Sequence, residues 1–340
     1  VAQESRGLGD VYKRQMLYDR IILADLHLDD NPLTEYRWEV FPWVMGLCKK
    51  HDINLIDILG DITDKKDKHS AVLTNRLIEN FFELSTYGDI RILKGNHDYI
   101  DEETPYFKFL KNIAGMNFFS EPSISLDTLF IPHTKNFNIN NYSNFFNESL
   151  IKVIYMHQMF KGSTLQNGYT TEDGIDVDSV VKAFNKPVFS GDIHTPQIIN
   201  KITYVGAPYH VTFGDTYKGG CVIIKDGKVT FKPFNSIKRL YLHLDNSFTE
   251  KDFSDIREND QVKVKVELKL HETYEWDTTR TKIKNTINSK KALPVSIEMK
   301  LIKEVGSVSK KEYKEKTDLD IIESFAKKEN LETDFINVAK

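Results

Sequence analysis

Short runs of β-branched and other apolar residues alternate with helix-period segments from Arg20 to about Ala114, and this alternation constrains the fold more than any other feature. Runs of this length are typical of strands in stacked βα units, in which a helix returns the chain to the next parallel strand. Each predicted strand is followed by a polar cluster. Because ligands gather beyond the carboxyl ends of strands in open α/β sheets, these clusters are expected to converge on one site.

The first half of the chain is predicted to contain three strands and two helices. The strands are expected at Asp19–Ala24, Asn54–Leu59 and Ile90–Leu93, and the helices at Glu35–Lys50 and Ser70–Thr86. The front of the chain is therefore of the α/β class.

The pattern changes at Ile124 to closely spaced strands, with one or two helices between them. A second sheet packed on the first is the expected outcome. Its strands are predicted at Ser123–Ile131, Lys152–Met156, Pro187–Phe189, Thr203–Val205, Gly220–Lys225 and Lys228–Lys232. The pair Asp226-Gly227 between the last two strands indicates a two-residue hairpin.

A different composition begins after Asn235. Val262–Leu270 and Val295–Ile302 have strand patterns and Thr279–Ser289 a helix pattern, which predicts a small α+β domain over residues 236–305. Residues 306–340 are expected to be a C-terminal helical segment, with a helix at Leu319–Glu329. Residues 16–235 then form the main domain.

The first fifteen residues differ from the rest. Residues 1–15 contain no apolar periodicity, and a strand pattern begins directly after Met16. The string at 5–15 resembles an in-frame translation of a transposon adapter used in sequencing libraries. We therefore expect 1–15 to be a non-native adapter-like or disordered tail and exclude it from fold reasoning.

Composition limits the class of protein. With 340 residues, 40% of them hydrophobic, the chain can bury one large core and a small second domain. No window approaches eighteen consecutive apolar residues, so no membrane span is predicted and the expected compartment is the cytoplasm. Cys48 and Cys221 are too few for a disulfide framework. A net charge of −4 argues against a protein that grips nucleic acid over its whole surface.

Five polar motifs lie at or just beyond predicted strand ends, and all supply carboxylate, amide or imidazole groups. They are DLH at 25–27, GDITD at 60–64, GNHD at 95–98, His157, and GDIH at 191–194. Each motif alone is weakly specific, because an Asp-x-His match or a histidine after a strand arises often by chance. Together they form a donor set that suits Mn, Fe, Zn or Mg and differs from a thiolate site.

Over residues 17–235 this order of motifs resembles the calcineurin-like metallophosphoesterase superfamily, whose pattern is DxH, GDxxD, GNHD or GNHE, a single His, and GHxH. The resemblance implies a four-layer α-β-β-α sandwich with a small C-terminal α+β capping domain. Within the superfamily the chain is most similar to the SbcD nucleases, because of the motif spacing and the stretches Tyr204–Pro208 and Phe213–Asp215.

The resemblance also implies two metal positions and a proton donor. One ion would be held by Asp25, His27, Asp61 and His194, and the other by Asp61, Asn96, His157 and Asp192, with Asp61 as the bridge. Bridged ions suit phosphodiester hydrolysis, since one can activate water while both neutralise phosphate oxygens. His97 would protonate the leaving oxygen or steady the phosphate, and Asp98 would orient His97.

One position departs from the family pattern, because Asp192 stands where the family's GHxH has its first His. A carboxylate is still a competent ligand for hard ions, so a working site with altered metal preference is expected, with Mn²⁺ as the ion. Asp64 keeps the generic acid of GDxxD where several of these nucleases have His. His69 and His133 are expected to be structural, and His210 to contact phosphate.

The leading functional hypothesis is a metal-dependent DNA nuclease, exonucleolytic on duplex ends and endonucleolytic on single strands, that works with an SbcC-like ATPase subunit in bacterial or phage-infected cytoplasm. The resemblance further implies a homodimer. A general or cyclic-nucleotide phosphodiesterase of the same fold is one alternative, and a catalytically silent scaffold for DNA and the ATPase is another. The loop at 158–175 borders the DNA groove or is a variable surface loop.

Overall fold

The computed structural model describes residues 17–302. Its main domain contains twelve strands in two six-stranded sheets. They are β1 (Arg20–Leu23), β2 (Leu55–Ile58), β3 (Asp89–Leu93), β4 (Met116–Phe119), β5 (Ser123–Ser125), β6 (Thr128–Ile131), β7 (Val153–His157), β8 (Val188–Gly191), β9 (Gln197–Ile199), β10 (Ile202–Tyr204), β11 (Gly220–Lys225) and β12 (Lys228–Pro233).

The first sheet has the order β12-β11-β1-β2-β3-β4, and the second has the order β5-β6-β7-β8-β10-β9. β1 to β4 are parallel, as are β6, β7, β8 and β10, whereas β11, β12, β5 and β9 pair antiparallel at the edges. The parallel strands of each sheet therefore end on one side, where their connecting loops gather.

Three helices cover the outer faces of the sheets: α1 (Val40–His51) and α2 (Ala71–Ser85) on the first sheet and α3 (Val177–Phe184) on the second. Short 3-10 helices occupy Pro32–Glu39, Tyr106–Asn112 and Ile139–Phe145. The predicted helix at Glu35–Lys50 is therefore two elements, a 3-10 helix followed by α1.

Alternate residues of one strand belong to different hydrophobic cores, which defines four layers. Ile21 and Leu23 of β1 pack against the helices, whereas Ile22 and Ala24 pack against the second sheet. A third cluster lies between the second sheet and α3, where Phe184 is buried. This period of two is what a strand buried on both faces requires. The predicted α-β-β-α sandwich is confirmed.

The space between the sheets also holds a buried ionic network. Arg91 donates two hydrogen bonds to the carboxylate of Asp57, at 2.7 and 2.8 Å, and the Tyr155 hydroxyl donates a third at 2.6 Å. Arg20 binds Asp127 at 2.5 Å. Because buried charges are tolerated only when they are paired, these contacts tie the first sheet to the second.

The sequence predicted most strands within one or two residues, but two assignments were wrong. Ser123–Ile131 is not one strand, since a turn with Leu126 at a φ of 55° divides it into β5 and β6. The strands at Gly220–Lys225 and Lys228–Lys232 do not join the second sheet. They extend the first, with β11 antiparallel to β1. The hairpin at Asp226-Gly227 is confirmed, and both residues have positive φ.

A C-terminal domain, defined here as residues 239–301, contains β13 (Arg239–Asp245), β14 (Gln261–Leu268), α4 (Trp276–Ser289) and β15 (Leu293–Leu301), with 3-10 helices at Glu250–Phe253 and Leu270–Glu275. The three strands are parallel, in the order β13-β14-β15. The valines of β14 are buried against Ile283 and Ile287 of α4. On the other face Tyr241 and His243 are exposed, and Arg239 and Lys263 lie over Phe213 of the main domain. The domain combines a helix with strands as predicted, but its sheet is parallel throughout, as in α/β units, and β13 was not foreseen.

Several predictions lie outside the described residues, namely the tail at 1–15 and the helix at Leu319–Glu329 within the segment 306–340. Over 17–302 no helix is both long enough and apolar enough to cross a membrane. Cys48 and Cys221 are buried as free thiols, and burial raises the pKa of Cys48 to about 11.

Candidate metal centre

The loops that follow β1, β2 and β3 supply one half of a cluster of polar side chains. Asp25 and His27 follow β1, Asp61 follows β2, and Asn96 follows β3. The loops are tied together by their backbones, since the N–H of Asp25 donates to Gly60 and the N–H of His27 donates to Asp61. The parallel register of the strands therefore places these side chains at one edge of the first sheet.

The second sheet supplies the other half. His157 is the last residue of β7, and Asp192 and His194 follow β8. The backbone N–H of Asp192 donates to Asp25 Oδ1 at 2.9 Å, which joins the two halves directly. All seven predicted metal ligands are thus brought together where the two sheets meet.

Asp61 lies between the two groups of ligands. Its Oδ2 is 3.5 Å from Nε2 of His27, and its Oδ1 is 3.4 Å from Nε2 of His157. The two oxygens thus face histidines from different sheets. This is the arrangement required of a carboxylate that bridges two cations.

The first predicted metal position is compact. Asp25, His27 and His194 offer ligand atoms that lie within 4.8 Å of one another. The Nε2 atoms of His27 and His194 are 3.0 Å apart, so both imidazoles point to the same place. Asp61, His27 and His97 form a second group within the same limit, which brings the ring of His97 close to the first position.

The second predicted position is built around His157. Asp25, Asp61 and His157 offer ligand atoms within 4.8 Å of one another. Asp192 Oδ1 is 3.9 Å from Nε2 of His157 and accepts a hydrogen bond of 3.3 Å from the amide of Asn96. The unusual carboxylate of Asp192 therefore occupies a place from which it can share an ion with His157.

Unpartnered buried atoms test whether this cluster fits a metal. Asp25 Oδ2, Asn96 Oδ1 and His157 Nε2 are buried and have no hydrogen-bond partner among residues 17–302. A buried polar atom without a partner is costly, and such atoms need an explanation. Carboxylate, amide and imidazole donors turned toward one space are explained by divalent cations, and the residues therefore fit the metals.

Electrostatics supports the same conclusion. Burial raises the pKa of Asp25 to about 8. Burial alone would also raise the pKa of Asp61, but the imidazoles of His157 and His27 lower it below its ordinary range. Burial lowers the pKa of His194 to about 3, which keeps its imidazole neutral and able to ligate. Divalent cations bound among these groups would supply the positive charge that stabilises the deprotonated carboxylates.

The backbone is strained at the ligands themselves. Asp25, His27, Asp61 and Asp192 have φ values of 54°, 41°, 55° and 83°, in the left-handed region that side chains other than glycine rarely adopt. Each such residue costs about 1–3 kcal/mol and persists only where the surrounding structure fixes it. Four of them in one cluster indicate a functional site.

Glycine is required in the motifs because the loops approach each other closely. A Cβ atom on Gly95 would lie 2.3 Å from Asp61 Oδ1, and one on Gly60 would lie 2.5 Å from His157 Nδ1. Gly60 also has a φ of 88°. The glycines therefore allow the ligands from three loops to share one small volume.

His97 is held differently from the prediction. Its Nδ1 lies 2.7 Å from the carbonyl oxygen of Asp64, so Nδ1–H donates to that oxygen and Nε2 is outside this bond, while the ring centroid lies 4.8 Å from that of His27. Asp98 does not orient His97. Its carboxylate is fully buried and accepts three backbone N–H bonds, from Gly95, Asp61 and Ile62, at 2.7–3.0 Å. Asp98 therefore fixes the two ligand loops to each other.

His210 also has a different place from the predicted phosphate contact. Its Nε2 lies 3.0 Å from the carbonyl of Tyr217, and its Nδ1 accepts from the N–H of Arg239 at 3.3 Å. Both ring nitrogens are thus bound to backbone, and the residue is buried. His69 and His133 likewise bind protein groups, the hydroxyls of Thr63 and Tyr99.

Two buried residues that the sequence did not single out hold the DLH loop. The guanidinium of Arg37 donates to the carbonyl of His27, and the hydroxyl of Tyr209 donates to the carbonyl of Leu26. Both come from outside the motifs, and because their partners are backbone carbonyls, no signal in the sequence indicated the role. Asp215 accepts from the N–H groups of Val211 and Thr212 and so closes the loop after Tyr209.

Two facing sheets, helices on both outer faces, and a buried cluster of carboxylate, amide and imidazole donors at the strand ends define a metal-dependent phosphoesterase. The family model for calcineurin-like phosphoesterases matches residues 20–218, and the chain belongs to that family. No curated protein matched the sequence significantly. Membership establishes metal-dependent phosphoester hydrolysis as the general chemistry.

Proposed function

We propose that this phosphoesterase is a DNA nuclease of the SbcD type, which cleaves duplex ends exonucleolytically and single strands endonucleolytically. Metal-dependent phosphoester hydrolysis is the chemistry of the family, and the phosphodiester bonds of a polymeric substrate are the proposed refinement. The observation that carries it is the C-terminal domain, because a small-molecule phosphodiesterase has no evident need for a second domain with an exposed sheet face.

The open face of the C-terminal sheet presents cations and aromatic rings together. Arg239 and Lys263 lie over the ring of Phe213, at 4.1 and 4.6 Å, and Tyr241 is exposed on the same face. Phosphate backbones bind lysine and arginine, and bases stack on aromatic rings. Since Phe213 belongs to the main domain, this face of the sheet adjoins the main domain at Phe213.

The loop after His157 supports the same proposal. Tyr169 is exposed near the tip of a small hairpin in which Thr164 pairs with Thr170. The hydroxyl of Tyr204 accepts from the N–H of Phe160 at 2.8 Å and so anchors the base of the loop. An anchored loop that begins at a metal ligand and carries an exposed tyrosine is suited to border a strand of nucleic acid.

The residues divide the work of hydrolysis between them. Asp25, His27, Asp61, Asn96, His157, Asp192 and His194 would hold two divalent ions, with Mn²⁺ expected. Bound ions supply Lewis-acid chemistry, which neutralises phosphate oxygens and makes water a better nucleophile. His97 is held through Nδ1–H by the carbonyl of Asp64, and in its protonated form it would donate the Nε2 proton to the leaving oxygen.

The decisive experiment is cleavage of labelled duplex and single-stranded DNA by the purified chain, with and without Mn²⁺. Manganese-dependent cleavage of both is expected. Bis(p-nitrophenyl) phosphate and a cyclic nucleotide are the comparison substrates. Hydrolysis of these compounds with no cleavage of DNA would establish the general phosphodiesterase instead, and no hydrolysis of any substrate would favour a silent scaffold.

An SbcC-like ATPase is the proposed partner, and a homodimer is the proposed assembly. Apolar residues at Ile321, Ile322, Phe325 and Leu331 have helical spacing, and we propose that they bind the ATPase; they lie outside the described residues. Deleting the residues after Thr317 should abolish co-purification with the ATPase while manganese-dependent cleavage of single strands persists. Unchanged co-purification would contradict the assignment.

A further inference from the structure

The metal-ligand loop after β1 is fixed from two sides. On one side, the N–H groups of Asp25, His27 and Leu28 donate to the GDITD loop, at 2.9–3.1 Å. On the other side, Arg37 donates a hydrogen bond to the carbonyl of His27, and Tyr209 donates one to the carbonyl of Leu26. Because Asp25 and His27 have left-handed backbones, the loop depends on these bonds for its conformation.

Arg37 also contacts a second loop, outside the metal-ligand loop. The same guanidinium donates to the carbonyl of Val211 at 2.9 Å, and that carbonyl also accepts a hydrogen bond of 2.6 Å from Arg239. Arg239 is the first residue of β13, in the C-terminal domain. A continuous line of hydrogen bonds therefore runs from His27 through Arg37 and Val211 to Arg239.

Further contacts hold the same junction. The backbone carbonyl of Arg239 accepts from Gly214 at 2.9 Å, and the side-chain amide of Gln261, in β14, donates to the carbonyl of Leu33 at 2.5 Å. Leu33 lies in the 3-10 helix that also carries Arg37. The C-terminal domain thus contacts both the segment that carries Arg37 and the loop that carries Val211.

We propose that Arg37 is a positioning residue for the metal ligand His27, and that Arg239 extends this control to the C-terminal domain, so that the placement of that domain sets metal affinity at the first position. The proposal rests on the metal-dependent hydrolysis of the family and is independent of DNA as the substrate. A partner or substrate that moves the C-terminal sheet would thereby change metal binding.

The test compares Arg239→Met with Lys263→Met in the full chain. Both variants remove a cation that lies over the Phe213 ring, but only Arg239 binds the Val211 carbonyl. Calorimetric titration of Mn²⁺ into metal-free protein should show affinity at one of two positions reduced by up to about tenfold in Arg239→Met, the lower end of the loss that follows removal of a group bonded directly to a metal ligand. Lys263→Met should bind Mn²⁺ as the native protein does.

Arg37→Lys is the second variant, since lysine keeps the charge but cannot donate to both carbonyls as the planar guanidinium does. It should lose affinity at the same position. Native affinity in Arg239→Met, or an equal loss in Lys263→Met, would overturn the proposal. Because the readout is metal binding, either result stands whether or not DNA is cleaved.

Discussion

Asp61 and His97 are expected to have different roles, metal binding and proton donation, and experiment can separate them. Asp61 faces a histidine from each half of the site, whereas His97 is expected to act on the proton. Asp61→Asn should therefore remove both metals and all hydrolysis. His97→Ala should keep the metals and lose about 10²–10⁴-fold in rate, the usual contribution of a general acid. Metal analysis of the two purified variants decides, and equal metal loss in both would refute the separate roles.

Asp192 should determine which ion the protein prefers. A carboxylate in place of an imidazole favours hard ions, so the native protein should prefer Mn²⁺ or Mg²⁺. Asp192→His should remain active with preference shifted toward Zn²⁺ or Co²⁺, and Asp192→Ala should lose occupancy of the second position. Titration of the four ions with measurement of cleavage and bound metal checks this. Two ions and full activity in Asp192→Ala would show that Asp192 is no ligand.

At the scale of residues, the sequence predicted the side chains that could ligate a metal but not the residues that fix the ligand loops. The order of the motifs was enough to predict that seven side chains meet at one place, because the ends of parallel strands converge. The bonds of Asp98 to the N–H of Asp61 and of His210 to the N–H of Arg239 could not be predicted, since they join segments remote in sequence. Arg37 was missed for the same reason, as its partners are carbonyl oxygens, which carry no sequence signal.

At the scale of elements, the loops require glycine where two of them touch. Gly95→Ala should displace Asp61 and weaken metal binding, because its Cβ would lie 2.3 Å from Asp61 Oδ1. Gly46→Ala is the matched control. Gly46 lies in α1, and nothing is within 4 Å of its added Cβ. That variant should bind metal normally and gain up to about 1 kcal/mol of stability. Normal metal binding in Gly95→Ala would show that the loop can move to accommodate the added Cβ without displacing Asp61.

Strand positions were predicted more successfully than strand partners. The period of apolar residues marks a buried strand whichever sheet it joins, so β11 and β12 were found but assigned to the wrong sheet. The place of β11 beside β1 follows from the pairing of Ile21 with Ile223, a contact between distant parts of the chain, and β12 pairs with β11. The hairpin between β5 and β6 was missed because Leu126 is not a typical turn residue.

At the scale of the whole molecule, pH should change the stability of the metal-free protein in a defined direction. The folded pKa of Asp25 is raised to about 8, and that of His157 is raised as well. A raised folded pKa contributes stability that is lost as pH rises toward it. Between pH 6.5 and 8 the free energy of unfolding should therefore fall, by about 1 kcal/mol per pH unit.

Chemical denaturation in the presence of a chelator measures this slope. Below pH 6.5 the slope should diminish, since the lowered pKa of His194 acts in the opposite direction. Saturating Mn²⁺ should abolish or reverse the fall, because cations bind the deprotonated carboxylates. A metal-free protein whose stability rises from pH 6.5 to 8 would contradict the assignment of these charges.

The two sheets each hold part of the cluster, and this division has a thermodynamic consequence. A cation bound to Asp61 and His157 is a non-covalent cross-link between two halves of the fold, absent from the unfolded chain. Each tenfold excess of free ion over its dissociation constant should add about 1.4 kcal/mol to stability for each position filled. The concentration of metal in the surroundings would then govern how much folded protein exists, and metal starvation would deplete the molecule itself as well as its activity.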